Sequence, residues 1–133
     1  MADFPTWTPV VALALTNSAG LLLLQQRPAG KHQEGMWEFP GGKVENGENP
    51  RLSLIREIAE ELDLRLDPAD LSPALVADEG GESPVVLILY TASIFAGEPS
   101  GLEGQQWGWF TRIEAGCLPL APMDYDLLNR LAL

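Results

Sequence analysis

Cysteine is almost absent. Cys117 stands alone among 133 residues, which excludes an intrachain disulfide and any zinc site built from several thiolates. A single thiol of this kind is expected to be a small core residue. Basic residues are also scarce, with eight Lys and Arg against nineteen Asp and Glu and a formal net charge of -11. Such a chain lacks the clustered cations that displace counterions from a nucleic-acid backbone, so DNA and RNA polymers are not expected partners. His32 is the only histidine, and its polar loop suggests a solvated side chain. Long apolar runs are missing too. Val10 to Leu15 is short, has no basic flank and follows Pro5 and Pro9, so it reads as neither a signal peptide nor a membrane span. A cytoplasmic protein, monomeric or homodimeric, is the expectation.

What is present suffices for a fold. Hydrophobic residues make up 46% and charged residues 20% of the chain, a globular balance that predicts a single domain over residues 1–133. Val10 to Leu15 and Leu21 to Leu24 flank the turn-rich Thr16-Asn17-Ser18-Ala19-Gly20 and read as a hairpin with one buried face. Trp37 to Pro40 is a short extended piece ending in Gly41-Gly42. Val85 to Tyr90 is continuously apolar, as suits a central strand covered on both faces. Gln106 to Thr111 reads as a further strand and Asp124 to Leu131 as a terminal helix. Strands alternating with helices predict an α/β/α sandwich around a mixed β-sheet.

The strongest helix runs from an Asn49 N-cap and Pro50 at its first position to about Leu62. At 100° per residue, Leu52, Ile55, Ala59 and Leu62 gather on one side, and Glu57, Glu60 and Glu61 on the other. Like charges at i, i+3 and i+4 repel by a few tenths of a kcal/mol per pair. A hard divalent cation would offset that repulsion, since Mg²⁺ is held by a few carboxylates together with waters and substrate phosphates. A solvated polar face is the plainer reading of three glutamates alone. Gly41-Gly42-Lys43 just upstream permits a tight turn and close approach of backbone to a ligand, and Glu48 adds an acid at the mouth of the helix.

The spacing is more specific than any of these parts. Gly42, five positions, Glu48, seven positions, then Arg56-Glu57-Ile58-Ala59-Glu60-Glu61-Leu62-Asp63-Leu64 strongly resembles the signature box of the Nudix hydrolases. The one departure is Asp63, where the family has glycine. Gln26-Arg27-Pro28, Trp37 to Lys43, Glu103-Gly104-Gln105 with Trp109, and Ala121 to Asp124 resemble the MutT branch of that family.

The resemblance implies a Nudix fold and a magnesium-dependent pyrophosphohydrolase, with manganese as a possible substitute. It turns a (deoxy)nucleoside triphosphate into a monophosphate and pyrophosphate. By the same resemblance, Glu57, Glu60, Glu61, Glu103 and the Gly42 carbonyl hold the metal, and Arg56 orients Glu57. Either Glu57 or Glu103 serves as base. Arg27 and Lys43 are candidates for phosphate contact, with ordinary surface charge as the alternative. Asp124 stands where the branch often has a base-reading Asn. An ionised carboxylate accepts from oxidised guanine or from cytosine, whereas the alternative role is an N-cap on the last helix. Trp37 and Trp109 are expected in the core. ADP-ribose or a dinucleoside polyphosphate is a second substrate reading, and a non-catalytic nucleotide-binding module a third. The complete acid set argues against the last.

Overall fold

In the computed structural model, which describes residues 6–132, strand β1 (Thr8–Leu15) is apolar on both faces and runs through the interior of a sheet. Its neighbours are β4 (Gly41–Lys43), antiparallel, and β6 (Val85–Ala92), parallel along the whole strand. Strand β5 (Ser72–Glu79) completes this mixed sheet at the far edge of β6, giving the order β4-β1-β6-β5. A second sheet, wholly antiparallel, has β2 (Leu22–Gln26) between β3 (Trp37–Glu38) and β7 (Trp107–Phe110).

The expected hairpin is therefore corrected. The turn forms, with Asn17 Oδ1 accepting from the backbone N–H groups of Ala19 and Leu21, but a single bridge, Thr16 to Leu22, joins the two arms. β1 and β2 then part into different sheets. Both strands are apolar on two faces, and a one-faced hairpin would leave half of each in water. β6 meets its expectation, lying between β1 and β5.

Helices cover the main sheet on both sides. Val11, Leu13 and Leu15 of β1 pack with Leu54, Ile58 and Leu62 of α1 (Pro50–Leu62). Ala12 and Ala14, on the opposite face, share a cluster with Leu127 and Leu128 of α3 (Pro122–Arg130). A short α2 (Arg112–Gly116) buries Ala115 in the same cluster. Removing each large side chain from water contributes about 1.5–3 kcal/mol, so β1, clamped from two sides, is a principal source of stability. Cys117 is exposed rather than in the core. It caps α2, whose only inward residue is Ala115.

The helix begins as its sequence dictates, with Asn49 accepting from the Leu52 N–H at 3.0 Å and Pro50 at the first turn. Its inward stripe differs from the expected one. Leu54, Ile58 and Leu62 face β1, together with Ser53 and Glu61, while Leu52 is half exposed and Ala59 exposed. Two apolar rows compete on this helix, and the sheet takes the row at i, i+4 and i+8 because it carries the larger side chains.

Asp63 ends the helix in the left-handed region, φ 59° and ψ 32°, with its N–H donating to the Ala59 carbonyl at 3.1 Å. This is the geometry for which glycine is favoured. Asp63→Gly should stabilise the protein by about 0.5–1 kcal/mol, the relief of left-handed strain less the added freedom of the unfolded chain. Urea unfolding measures it, and a loss of stability would contradict this account of the cap.

Candidate active site

The outer end of α1 carries an ion network centred on Arg56. Its guanidinium donates to Glu48 at 2.8 and 3.0 Å, to Glu57 at 3.1 Å and to Glu60 at 3.2 Å. A fifth contact, 3.4 Å to the Lys43 carbonyl, ties the helix to β4. Glu48 also accepts from the Ser53 hydroxyl, and these donors hold its carboxyl down at about 2. Its partners in turn raise Arg56 above its ordinary value. Arg56 thus fixes one oxygen of Glu57 while Glu48 neutralises part of its own charge.

Glu61 points the other way, into the protein. It is 6% exposed, and its Oε2 accepts from Gln25 Nε2 at 2.5 Å. Burial pushes its carboxyl well above the usual range, the Gln25 donor opposes that rise, and the charges of Glu57, Glu38 and Glu103 add to it. Glu57 is raised too, by burial first, against the pull of Arg56. The Glu57 and Glu61 carboxyls are close enough for each to act on the other's ionisation.

Among the described residues no three His, Cys, Asp or Glu side chains converge into a ready-made metal cage. The acids form a close pair, Glu57 with Glu61, flanked by the more exposed Glu60 and Glu103. This donor set nevertheless fits a divalent cation. Two carboxyls are crowded and desolvated until they resist ionising, which is the situation a bound dication reverses. Gly42 fits as well: a Cβ there would lie 2.6 and 2.7 Å from the Glu57 oxygens, so glycine lets the β4 backbone approach Glu57 without displacing its carboxyl. Gly41 is crowded in the same way by the backbone of Val11 and Ala12. Neither glycine makes a tight turn; both lie in β4, and close approach is what they supply.

A cavity of about 530 Å³ opens on the other side of β4, between the main sheet and the Glu38–Phe39 segment. Gly42 lines it, as do Arg27, Lys43, Glu38, Glu79 and Asp124. Arg27 pairs with Glu38 at 2.5 Å and donates to the His32 carbonyl at 3.1 Å. Burial raises the Glu38 carboxyl against the attraction of Arg27. Asp124 is 4% exposed, and its Oδ1 accepts from the Phe39 N–H at 2.9 Å. Burial raises it to about 7, with the Phe39 donor opposing. The capping alternative for Asp124 is corrected: Ala121 is the N-cap of α3, and no side chain caps it. Asp124 sits within the first turn, where Pro122 aims it inward.

Comparison with known proteins agrees with this geometry. The sequence matches the NUDIX domain model over residues 6–131. The chain belongs to the Nudix family. A CTP pyrophosphohydrolase of Escherichia coli is 37% identical over 121 residues, covering 90% of this chain and 87% of that protein. An 8-oxo-dGTP diphosphatase of Haemophilus influenzae is 35% identical, covering 92% and 89%. The crystal structure of a MutT NUDIX hydrolase from Burkholderia pseudomallei superposes with a TM-score of 0.85 at 27% identity, covering 96% and 100% of the two chains. The protein is thus a MutT-like Nudix hydrolase, and enzymes of this family generally need a divalent metal.

Of the Nudix residues expected from the sequence, Gly42, Arg56, Glu57 and Glu60 are brought together by β4 and the outer side of α1. Glu61 lies inward of them and Glu103 on an exposed loop whose charge reaches Glu61. Arg27, Lys43 and Asp124 share the cavity. Trp37 and Trp109 pack on the cores as expected, against Phe110 and Phe95 respectively. His32 is exposed, at the rim of the cavity. Sequence reasoning assigned no role to Gln25, Glu38 or Gln105. The one available signal was a pair of glutamines ending the run of leucines in β2.

The raised Asp124 carboxyl has a consequence for stability. Between pH 4 and 7 the folded protein keeps a proton that the unfolded chain releases, so stability falls as pH rises through this window and is level above it. Asp124→Asn keeps the acceptor for Phe39 and removes the titration. The variant should match the parent near pH 4 and exceed it by about 4 kcal/mol at pH 8. Thermal melts at the two pH values test this, and an equal difference at both would refute it.

Proposed function

We propose that this Nudix hydrolase is a single-domain, magnesium-dependent nucleoside triphosphate pyrophosphohydrolase, yielding a monophosphate and pyrophosphate, with CTP, dCTP or 8-oxo-dGTP as substrate. One observation carries the reading: Gly42 belongs both to the acid cluster and to the cavity wall. A nucleotide seated in the cavity therefore reaches the acids around the edge of β4. Glu57, Glu60 and Glu61, with the Gly42 carbonyl and Glu103, would hold Mg²⁺, or Mn²⁺ in its place. The bound ion would supply charge neutralisation on the phosphates and an acidified water.

The chain's own groups do the rest. Arg56 keeps Glu57 oriented by a charge-assisted hydrogen bond. Lys43, exposed at the end of β4, meets phosphate, and Arg27 does so from the cavity side. Glu57 or Glu103 accepts the proton of the attacking water, and pH–rate profiles of their Gln variants separate the two. Asp124 reads the base: ionised, it accepts from cytosine N4–H₂ or from the N7–H of 8-oxoguanine, and protonated, it donates as well. The names of the two curated relatives, one acting on CTP and one on 8-oxo-dGTP, support the same pair of bases. We place the action of this chain in the cytoplasm, as monomer or homodimer; among the described residues no helix is long and apolar enough to cross a membrane.

Chromatographic separation of the products from a panel of canonical and oxidised nucleotides, ADP-ribose and dinucleoside polyphosphates with Mg²⁺ tests the substrate class; turnover of ADP-ribose or dinucleoside polyphosphates alone would overturn it. Glu57→Gln should lower kcat at least about a hundredfold, in line with loss of a positioned ligand and base, with unchanged circular dichroism. Near-normal hydrolysis by that variant would sink the metal assignment.

A further inference from the structure

Gln25 is 4% exposed and lies on β2 directly after three leucines that are fully buried. A buried amide must fill its hydrogen-bonding capacity or lose stability, and an apolar residue would occupy this place at lower cost. Every contact of this amide leads toward the acids. Nε2 donates to Glu61 Oε2 at 2.5 Å and reaches Glu38 Oε2 at 3.3 Å. Oε1 accepts from Gln105 Nε2 at 3.1 Å.

Gln105 continues the arrangement. Its Nε2 also donates to the Glu61 carbonyl at 2.8 Å, and its Oε1 accepts from the Glu103 N–H at 3.0 Å. The amide orientations are therefore not interchangeable. The Glu61 backbone carbonyl only accepts and the Glu103 N–H only donates, so Gln105 presents its nitrogen to Gln25, whose oxygen faces it and whose nitrogen faces Glu61 and Glu38. Four pieces of chain meet here: β2, the end of β3, the last turn of α1 and the loop before β7.

We propose that Gln25 is a positioning residue for the metal-binding carboxylates, fixing the rotamer of Glu61 directly and the loop of Glu103 through Gln105. This rests on the reading of Glu61 as a metal ligand. One oxygen of Glu61 is held by Gln25, and the other would be available to the ion. Groups that orient metal ligands in this way matter nearly as much as the ligands themselves.

The test uses Mn²⁺ alone, with affinity read by electron paramagnetic resonance on the full chain at a temperature where every variant is folded. Gln25→Met, matched in length but unable to donate, should weaken Mn²⁺ binding about tenfold. Should that variant not fold, Gln25→Asn, one methylene too short to reach Glu61, carries the same expectation. Glu61→Gln supplies the control. Weaker Mn²⁺ binding there, with a smaller further loss on adding Gln25→Met than that change causes in the parent, is the non-additivity expected of one residue acting largely through the other. Parent-like Mn²⁺ affinity in Gln25→Met and Gln25→Asn, with a lowered melting temperature, would mean a purely structural role and overturn the proposal. Parent-like affinity in Glu61→Gln would instead overturn the metal assignment on which it rests.

Discussion

The crowding of carboxyls along α1 is the constraint around which this molecule is arranged. Glu57 and Glu61 are close, partly removed from water and near three further acids, Glu38, Glu60 and Glu103. A helix so loaded needs positive charge or hydrogen-bond donors on every side. Arg56 supplies them from the outside, with Glu48 balancing its charge. Gln25 supplies them from within. The glycines of β4 belong to the same arrangement, because any side chain at Gly42 would occupy the space taken by Glu57.

Much of this could be read from the chain itself. The α1 helix, its Asn49 cap and its left-handed end at Asp63 follow from local chemistry, which depends on residues within a turn of one another. The acid residues of the box were legible because their spacing is fixed along one helix. The partners of those acids were not. Gln25 and Glu61 are 36 residues apart and Gln105 a further 44, and no local pattern announces that a glutamine will face a glutamate across two elements.

The same distinction explains the misread elements. A run of apolar residues around a turn predicts two strands, and both are present, yet it does not say that each is covered on both sides. That fact, contributed by α1 and α3 and by the parallel partner β6, sent β1 and β2 into separate sheets. On α1 the periodicity allowed two apolar rows, and packing against β1 selected the one with the larger side chains. Asp124 was equally undecided from sequence, since an aspartate near a helix start has two common uses. The structure removes the cap, since Ala121 holds that place, and adds a bond to Phe39 on a distant segment that no local pattern announces.

The chain passes from one sheet to the other at Phe39 and Pro40, between β3 and β4. The wall that carries Glu38 and Asp124 and the wall that carries the glutamates of α1 are therefore built by different layers, and Gly42 is their common seam. Such a division would let the cavity wall around Asp124 vary while the glutamates of α1 keep their places. Relatives named for different nucleotides can then share a single hydrolytic apparatus, much as interchangeable jaws fit one vice.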